Sequence, residues 1–134
     1  MSKVRDAMIP EPQTLESSAS AQEAGEHLRE PEVRAVYVCD DGRFVGVITR
    51  KTLVSEVVAA GRDPRSTHVS EIAEPPLWTL DSELPLDEAF HFLEEHDAER
   101  VPVVEDGRLV GVLSRSVLGR RLAEDEPPAQ IDEL

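Results

Sequence analysis

The stretch that decides the fold is Arg100-Val101-Pro102-Val103-Val104-Glu105-Asp106-Gly107-Arg108-Leu109-Val110-Gly111-Val112-Leu113-Ser114. An earlier stretch repeats it as Val36-Tyr37-Val38-Cys39-Asp40-Asp41-Gly42-Arg43-Phe44-Val45-Gly46-Val47-Ile48-Thr49. Both place an Asp-Gly pair between two apolar runs, and Asp and Gly tolerate the positive φ that a tight turn needs. Each stretch therefore predicts a β-hairpin, in which two strands are joined by a tight turn. The runs are apolar at successive positions, which indicates strands covered on both faces.

The duplication extends well beyond these hairpins. When the sequence is shifted by about 65 residues it aligns with itself without a gap, with about 19 identities over about 54 positions. Two similar halves predict pseudo-two-fold packing. We expect one repeat over residues 1–60 and a second over 69–122. A polar linker rich in Pro and Gly joins them over 61–68, and residues 123–134 form an acidic, disordered tail.

Helices flank each hairpin in the predicted order. Ser20 to Glu23 has the form of a capping box, and the apolar residues after it follow at helical spacing. In the second copy Pro85 suits the first position of the matching helix. Thr49 and Ser114 are candidate N-caps of a further helix in each repeat. The expected fold class is therefore α/β (α+β), with two pseudo-symmetric repeats, each a short mixed sheet packed against two helices.

Composition excludes several classes of function. The 134 residues carry a net charge of −14, a field that repels nucleic acid and anionic membrane surfaces. A small, highly charged surface that keeps the protein in solution is the simpler interpretation. The longest apolar runs are far short of the roughly 20 residues that a membrane span needs. Cys39 is the only cysteine, and we expect a buried thiol in the reducing cytoplasm.

The sequence offers no catalytic constellation. His91 and His96 lie five positions apart, which does not place them on one face of a helix. No Gly-x-Ser-x-Gly elbow and no metal-ligand spacing is present. We therefore expect no enzyme, no metal and no required cofactor. Trp78 is interpreted either as a wall for a purine or, more readily, as the cover of a domain edge.

The doubled hairpin resembles the signature of the CBS domain family. That signature is Pro-Val-Val-Asp-x-x-Gly-x-hydrophobic-hydrophobic-Gly, which runs into Thr or Ser and then a helix. The upstream pairs Thr14-Leu15 and Thr79-Leu80 fit the same pattern. The resemblance implies a tandem pair (a Bateman module), often assembled as a disc-like homodimer. It also implies clefts between the repeats that take AMP, ADP, ATP, S-adenosylmethionine or cyclic di-adenylate.

The resemblance implies ligand-binding positions in this chain. Thr49 and Ser114 would lie at strand-to-helix junctions, where free N–H groups favour an anion, or would act as plain N-caps. The arginine after each would reach a phosphate or remain in solvent. The complete set of implied positions is Thr14, Val36, Tyr37, Thr49, Arg50, Thr52, Thr79, Arg100, Val101, Pro102, Ser114 and Arg115.

The two implied clefts differ in their side chains. Relatives often carry an Asp three residues after the Thr or Ser, to bind the ribose, whereas this chain has Thr52 and Val117 there. Losing a hydrogen bond to a charged group costs roughly 1.5–3 kcal/mol. We expect any nucleotide to prefer a cleft built from Thr49, Thr52 and the Arg100-Val101-Pro102 segment. In that cleft Arg100 binds a phosphate or instead pairs with Glu99 or Glu95.

The other cleft would combine Ser114, Arg34 and Tyr37, with Tyr37 stacked on adenine or, more readily, packed in the core. The expected function is a stand-alone regulatory sensor that binds an adenosine-containing ligand and acts on an unknown protein partner in trans. The alternative is a structural homodimeric adaptor with degenerate clefts. In either case we expect a homodimer, with the helices after Arg50 and Arg115 near the interface, through Leu53, Val57, Val117 and Leu122.

Overall fold

A computed structural model of the chain describes residues 2–10 and 12–116. The predicted tail, and the predicted interface residues Val117 and Leu122, lie outside the described residues. A 3₁₀ turn at Val4–Asp6 opens the chain, and a π-helix follows α2 at Val54–Val58. The helices are α1 (Ala21–Leu28), α2 (Arg50–Leu53), α3 (Val69–Ile72) and α4 (Leu86–Glu95). The strands are β1 (Ile9–Pro10), β2 (Thr14–Glu16), β3 (Val36–Asp40), β4 (Arg43–Ile48), β5 (Leu80–Asp81), β6 (Arg100–Glu105) and β7 (Arg108–Ser114).

The chain forms two compact units, and each holds a mixed sheet as predicted. Unit A comprises residues 12–77 and Asp106–Leu109; unit B comprises residues 2–10, 78–105 and 110–116. In unit A, β2 runs parallel to β3, with Thr14 opposite Tyr37, and β3 runs antiparallel to β4. In unit B, β5 runs parallel to β6, β6 neighbours β7, and β1 pairs antiparallel with β7.

The units do not coincide with the repeats of the sequence, because the repeats exchange their first residues. Val4 and Ala7, which begin the first repeat, are buried in the core of unit B. Val69 and Ile72, which begin the second repeat, are buried in the core of unit A. Each core is therefore completed by the start of the other repeat. The predicted boundaries describe sequence similarity, whereas the packing follows this exchange.

The predicted linker is part of unit A rather than a loose connection. Backbone N–H groups at the start of α1 donate to the carbonyls of Pro64 (3.0 Å) and Thr67 (2.8 Å). The Thr67 side chain is buried, and its hydroxyl donates to the Asp63 carbonyl at 2.8 Å. Backbone carbonyls of residues 61–68 thus satisfy N–H groups at the start of α1.

Local sequence signals place most element boundaries correctly. Both Asp-Gly pairs have positive φ at both residues, as a tight hairpin turn requires. Ser20 caps α1 by accepting from the Glu23 N–H at 3.1 Å. Pro85 is the N-cap of α4 rather than its first residue, because its ψ of 139° is extended. The helix predicted after Thr49 is also correct, but it changes to π geometry at Val54, with Gly61 at φ 72° beyond its end.

The segments that the repeats exchange pass close to one glycine in each hairpin, Gly46 in unit A and Gly111 in unit B. In unit A, the N–H and C=O of Glu74 pair with the C=O and N–H of Val47 at 2.9 and 2.8 Å. A Cβ on Gly46 would come within 2.8 Å of Ala73 Cβ and 3.0 Å of the Glu74 carbonyl oxygen. In unit B, Gly111 meets Met8 and Ile9 in the same manner. The second glycine of each hairpin is therefore required by close backbone approach.

We predict that Gly46→Ala destabilises the protein. The added methyl group would be too close to backbone atoms to be relieved by a side-chain rotation, so strand and segment must separate, at a cost of about 1–3 kcal/mol. Gly25→Ala is the matched control: it lies inside α1, where a Cβ meets Leu53 at 3.7 Å, an ordinary contact. That substitution should stabilise by up to about 1 kcal/mol. Urea unfolding measures the free energy of unfolding of both variants. Equal changes in that free energy would contradict the close approach at Gly46.

Candidate functional site

The junction between β4 and α2 in unit A is closed by a reciprocal pair of threonines. Thr49 Oγ1 accepts from the Thr52 N–H at 3.3 Å, and Thr52 Oγ1 accepts from the Thr49 N–H at 3.0 Å. Their two hydroxyl oxygens lie 3.1 Å apart. The predicted N-cap is therefore confirmed. Thr52 is 0% exposed, so the hydroxyl expected near a ribose is enclosed and already bonded to Thr49.

Other predicted site residues of unit A converge on the same part of the sheet. Thr14 pairs with Tyr37 across the parallel strands, and Val36 pairs with Ile48, the residue before Thr49. Tyr37 is buried, with its ring 6.0 Å from that of Phe44, which favours the core-packing interpretation. Arg50 is exposed and donates from Nη2 to the carbonyl of Glu30 at 2.8 Å.

The equivalent junction in unit B, at the end of β7, holds a carboxylate. Glu99 Oε2 accepts from the hydroxyls of Ser114 (3.1 Å) and Ser116 (2.9 Å), and from the Ser116 N–H at 3.4 Å. The Arg115 N–H donates to the Glu99 carbonyl at 2.7 Å, which fixes Glu99 beside the junction. Arg115 also pairs with Asp97 at 3.2 Å and lies 3.8 Å from Glu99 Oε1.

These contacts change the acidity of Glu99. The hydrogen bond from the Ser116 hydroxyl is the largest cause, and it lowers the pKa of Glu99 below its ordinary value. Desolvation opposes the change, while Ser114, the Ser116 N–H and the charge of Arg115 add to it. Glu99 is therefore held in the ionised form that its donors require.

The remaining predicted residues of unit B lie along β5 and β6. Arg100 is exposed at the start of β6, and Val101 and Pro102 are buried after it. Among the described residues no ion pair joins Arg100 to Glu99 or Glu95, because Arg115 is the partner of Glu99 instead. Thr79 is exposed immediately before β5. The pairing of Arg100-Val101-Pro102 with Thr49 and Thr52 stays a prediction.

Trp78 packs within unit B rather than standing free. Its ring lies 5.7 Å from Phe92 and 4.9 Å from His96, measured between centroids. The half-buried indole therefore covers the C-terminal end of α4. This arrangement favours the interpretation of Trp78 as the cover of an edge over that of a purine wall.

Glu99 and Ser116 are the residues that sequence reasoning missed. The internal repeat carried a signal, since the offset that aligns the hairpins places Glu99 on Arg34. A reversal of charge at equivalent positions marks a place where the repeats differ in electrostatics. Sequence alone did not reveal that the carboxylate turns toward Ser114.

The residues that the structure describes contain neither a cluster of metal-ligating side chains nor a helix that could cross a membrane. Within residues 2–10 and 12–116, no three His, Cys, Asp or Glu side chains are grouped as metal ligands. Over the same ranges, no helix combines the length and hydropathy that a membrane crossing requires. Cys39 is buried as predicted, and burial, followed by the nearby charge of Glu16, raises the pKa of its thiol.

Comparison with known proteins explains the doubled architecture. Residues 4–59 and 69–124 each match the CBS domain, so the two matches cover most of the chain. The chain belongs to the CBS domain family. It is 30% identical over 125 residues to hypoxic response protein 1 of Mycobacterium tuberculosis, covering 92% of this chain and 87% of that protein. The recognised resemblance and the fold class are both confirmed.

Solved structures of CBS proteins share this fold. A crystal structure of hypoxic response protein I with two coordinated zinc ions has a TM-score of 0.76 and 29% identity, covering 90% of this chain and 99% of that one. A structure of CBSX2 in complex with AMP has a TM-score of 0.75 and 26% identity, covering 95% of this chain and all of that one (100%). CBS pairs of similar sequence thus include one with AMP bound.

We predict that Ser116→Ala raises the pKa of Glu99 toward the ordinary value of a glutamate, because the largest cause of its lowering is removed. The folded-state pKa lies below the unfolded value, so the stabilisation from ionised Glu99 is present above the ordinary value. It is lost as the pH falls through the lowered one. Carbon-13 NMR titration of the Glu99 carboxyl group measures the midpoint. Ser70→Ala, at an exposed serine of unit A, is the control; equal midpoints in both variants would contradict the Ser116 contact.

Proposed function

We propose that this CBS pair is a regulatory sensor that binds an adenosine-containing ligand, such as AMP, ADP or ATP, and acts on a separate protein. The observation that carries the proposal is the strand-to-helix junction of unit A. There, Thr49 and Arg50 follow β4 directly, and Thr14 and Tyr37 lie on the neighbouring strands. The AMP bound by CBSX2, a relative of the same fold, supports this choice of ligand.

The chemistry of the junction suits one anionic group beside a nucleoside. Thr49 and Arg50 are adjacent in sequence, and the Arg50 guanidinium donates a hydrogen bond to the neutral backbone carbonyl of Glu30. Exchanging that neutral acceptor for a phosphate would give a charge-assisted hydrogen bond, which is roughly twice as strong. We therefore expect the phosphate to bind at Thr49 and Arg50. The nucleoside would then lie beside Thr14 and Tyr37 on the neighbouring strands.

We predict that Thr49→Val weakens AMP binding by about tenfold or more, because the variant keeps the shape and removes the hydroxyl. Ser114→Ala makes the matching change in unit B and should leave the affinity within about twofold. Calorimetry with AMP, ADP and ATP measures each variant. If Ser114→Ala abolishes binding while Thr49→Val does not, the ligand uses the other junction.

A structural adaptor is the second candidate, and two observations favour it. The Thr52 hydroxyl is already bonded to Thr49, and the Ser114 junction already holds Glu99. If millimolar AMP, ADP, ATP, S-adenosylmethionine and cyclic di-adenylate all leave the melting temperature unchanged, the adaptor replaces the sensor. A ligand at about 100 times its dissociation constant would stabilise by about 2.7 kcal/mol.

Either role would use a homodimer, which we propose forms through the helices of unit A. A groove of about 320 Å³ lies between α1 and the helical segment after Thr49, lined by apolar residues that include Ala21, Leu53 and Val57. On this segment Val54 is 58% exposed and Val58, at the groove, is 73% exposed. Apolar surface of this kind is typical of a face that another molecule covers. We propose a second copy of the chain, since Leu53 of the predicted interface lines this groove, whereas Val57 of that interface is 5% exposed and belongs to the core of unit A.

We predict that Val58→Asp shifts the protein toward the monomer, because a carboxylate would be buried without a partner in the interface. Association should weaken by about tenfold or more. Light scattering at a protein concentration of about 10–100 μM measures the molar mass of the native protein and of each variant. Leu77→Asp is the matched control, since Leu77 is 83% exposed in unit A and does not line the groove. A monomeric native protein would refute the homodimer.

A further inference from the structure

The Ser114 junction of unit B is a built cluster of donors around one carboxylate oxygen. Glu99 Oε2 takes hydrogen bonds from two hydroxyls and one backbone N–H, at 3.1, 2.9 and 3.4 Å. Ser114 is 2% exposed, so its hydroxyl has little access to water and depends on these partners. Arg115 adds a guanidinium nitrogen 3.8 Å from the second carboxylate oxygen. These donors are of the kind that bind a phosphate.

We propose that Glu99 is a built-in anion that closes the Ser114 junction to phosphate, so that an anionic ligand enters only the Thr49 junction. Glu99 thereby sets which half of the pair binds the ligand. The identity of the ligand rests on the function proposed above. The closure itself does not, because it can be tested with inorganic phosphate.

The repeat supplies an internal comparison for this role. At the position equivalent to Glu99 the first repeat carries Arg34, and among the described residues no carboxylate is hydrogen-bonded to Thr49, Arg50 or Thr52. The Thr49 junction therefore satisfies its donors with two hydroxyl oxygens and one backbone carbonyl, which a ligand can displace without meeting a like charge. At the Ser114 junction a phosphate would compete with a covalently attached carboxylate and would also be repelled by it.

The effect of removing the carboxylate follows from this competition. Without Glu99, two hydroxyls and one N–H lose their acceptor while they stay attached to β7 and the residues after it, and the Arg115 guanidinium keeps only its ion pair with Asp97. An added phosphate can then take the vacated position. We expect the apparent affinity for phosphate at Ser116 to rise by about tenfold or more, since charge-assisted contacts are among the stronger hydrogen bonds.

Amide NMR of the full chain tests the proposal at both junctions. The proteins are the native chain, Glu99→Ala, and Glu95→Ala, which removes the same charge from an exposed position of unit B. Each is titrated with inorganic phosphate, with chloride at matched ionic strength, and with AMP. In Glu99→Ala we expect the Ser116 amide to shift with phosphate, whereas in the native chain and in Glu95→Ala it stays still.

The outcomes separate this inference from the proposed function. A Ser116 amide that responds to phosphate equally in the native chain and in Glu99→Ala overturns the closure. So does a folded Glu99→Ala whose Ser116 amide responds neither to phosphate nor to AMP. If phosphate shifts Ser116 only in Glu99→Ala but AMP shifts no amide in any protein, the closure stands and the adenosine-sensor proposal fails. Glu99→Ser, which also removes the carboxylate and vacates its position but keeps a small polar side chain, gives the same test should Glu99→Ala fail to fold.

Discussion

The close approach of a backbone segment to Gly46, and of its counterpart to Gly111, is the constraint on which the architecture depends. At each glycine, the first residues of one repeat lie against the hairpin strand of the other. The approach carries Val69 and Ile72 into the core of unit A, and Val4 and Ala7 into the core of unit B. Because each core takes residues from both repeats, a single repeat lacks part of the apolar surface that would stabilise it. Duplication of the sequence is thus a requirement of this packing.

The duplicated backbone leaves the two junctions free to differ in chemistry. Both need an acceptor for the N–H groups and hydroxyls where a strand turns into a helix. Unit A satisfies them with the Thr49 and Thr52 hydroxyls, and unit B satisfies them with the Glu99 carboxylate. A hydroxyl both donates and accepts, whereas an ionised carboxylate only accepts and carries a charge. The same fold therefore places neutral hydroxyl oxygens at one junction and a carboxylate at the other.

The sequence predicted the elements that local chemistry controls. The hairpins, the caps at Ser20 and Thr49 and the burial of Cys39 follow from residue type and spacing, and the structure confirms them. The exchange of repeat starts and the position of the Glu99 side chain depend on residues distant in sequence. Local patterns do not encode such contacts. At Thr52 the sequence predicted a contact with a ribose, whereas the packing shows that the Thr52 hydroxyl is already bonded to Thr49.

Because the protein has a net charge of −14, its affinity for an anion is sensitive to a single carboxylate close to the binding position. An anionic ligand approaching the surface is repelled on average, but salt screens exposed charges beyond a Debye length of about 8 Å at physiological ionic strength. The affinity then depends on the few groups within hydrogen-bonding distance of the bound anion. At the proposed Thr49 site those groups would be hydroxyls and Arg50, whereas at the Ser114 junction Glu99 stands among the donors themselves. An acidic protein can therefore retain an anion site wherever the nearest neighbours are favourable, and it loses that site when a single neighbour is an acid.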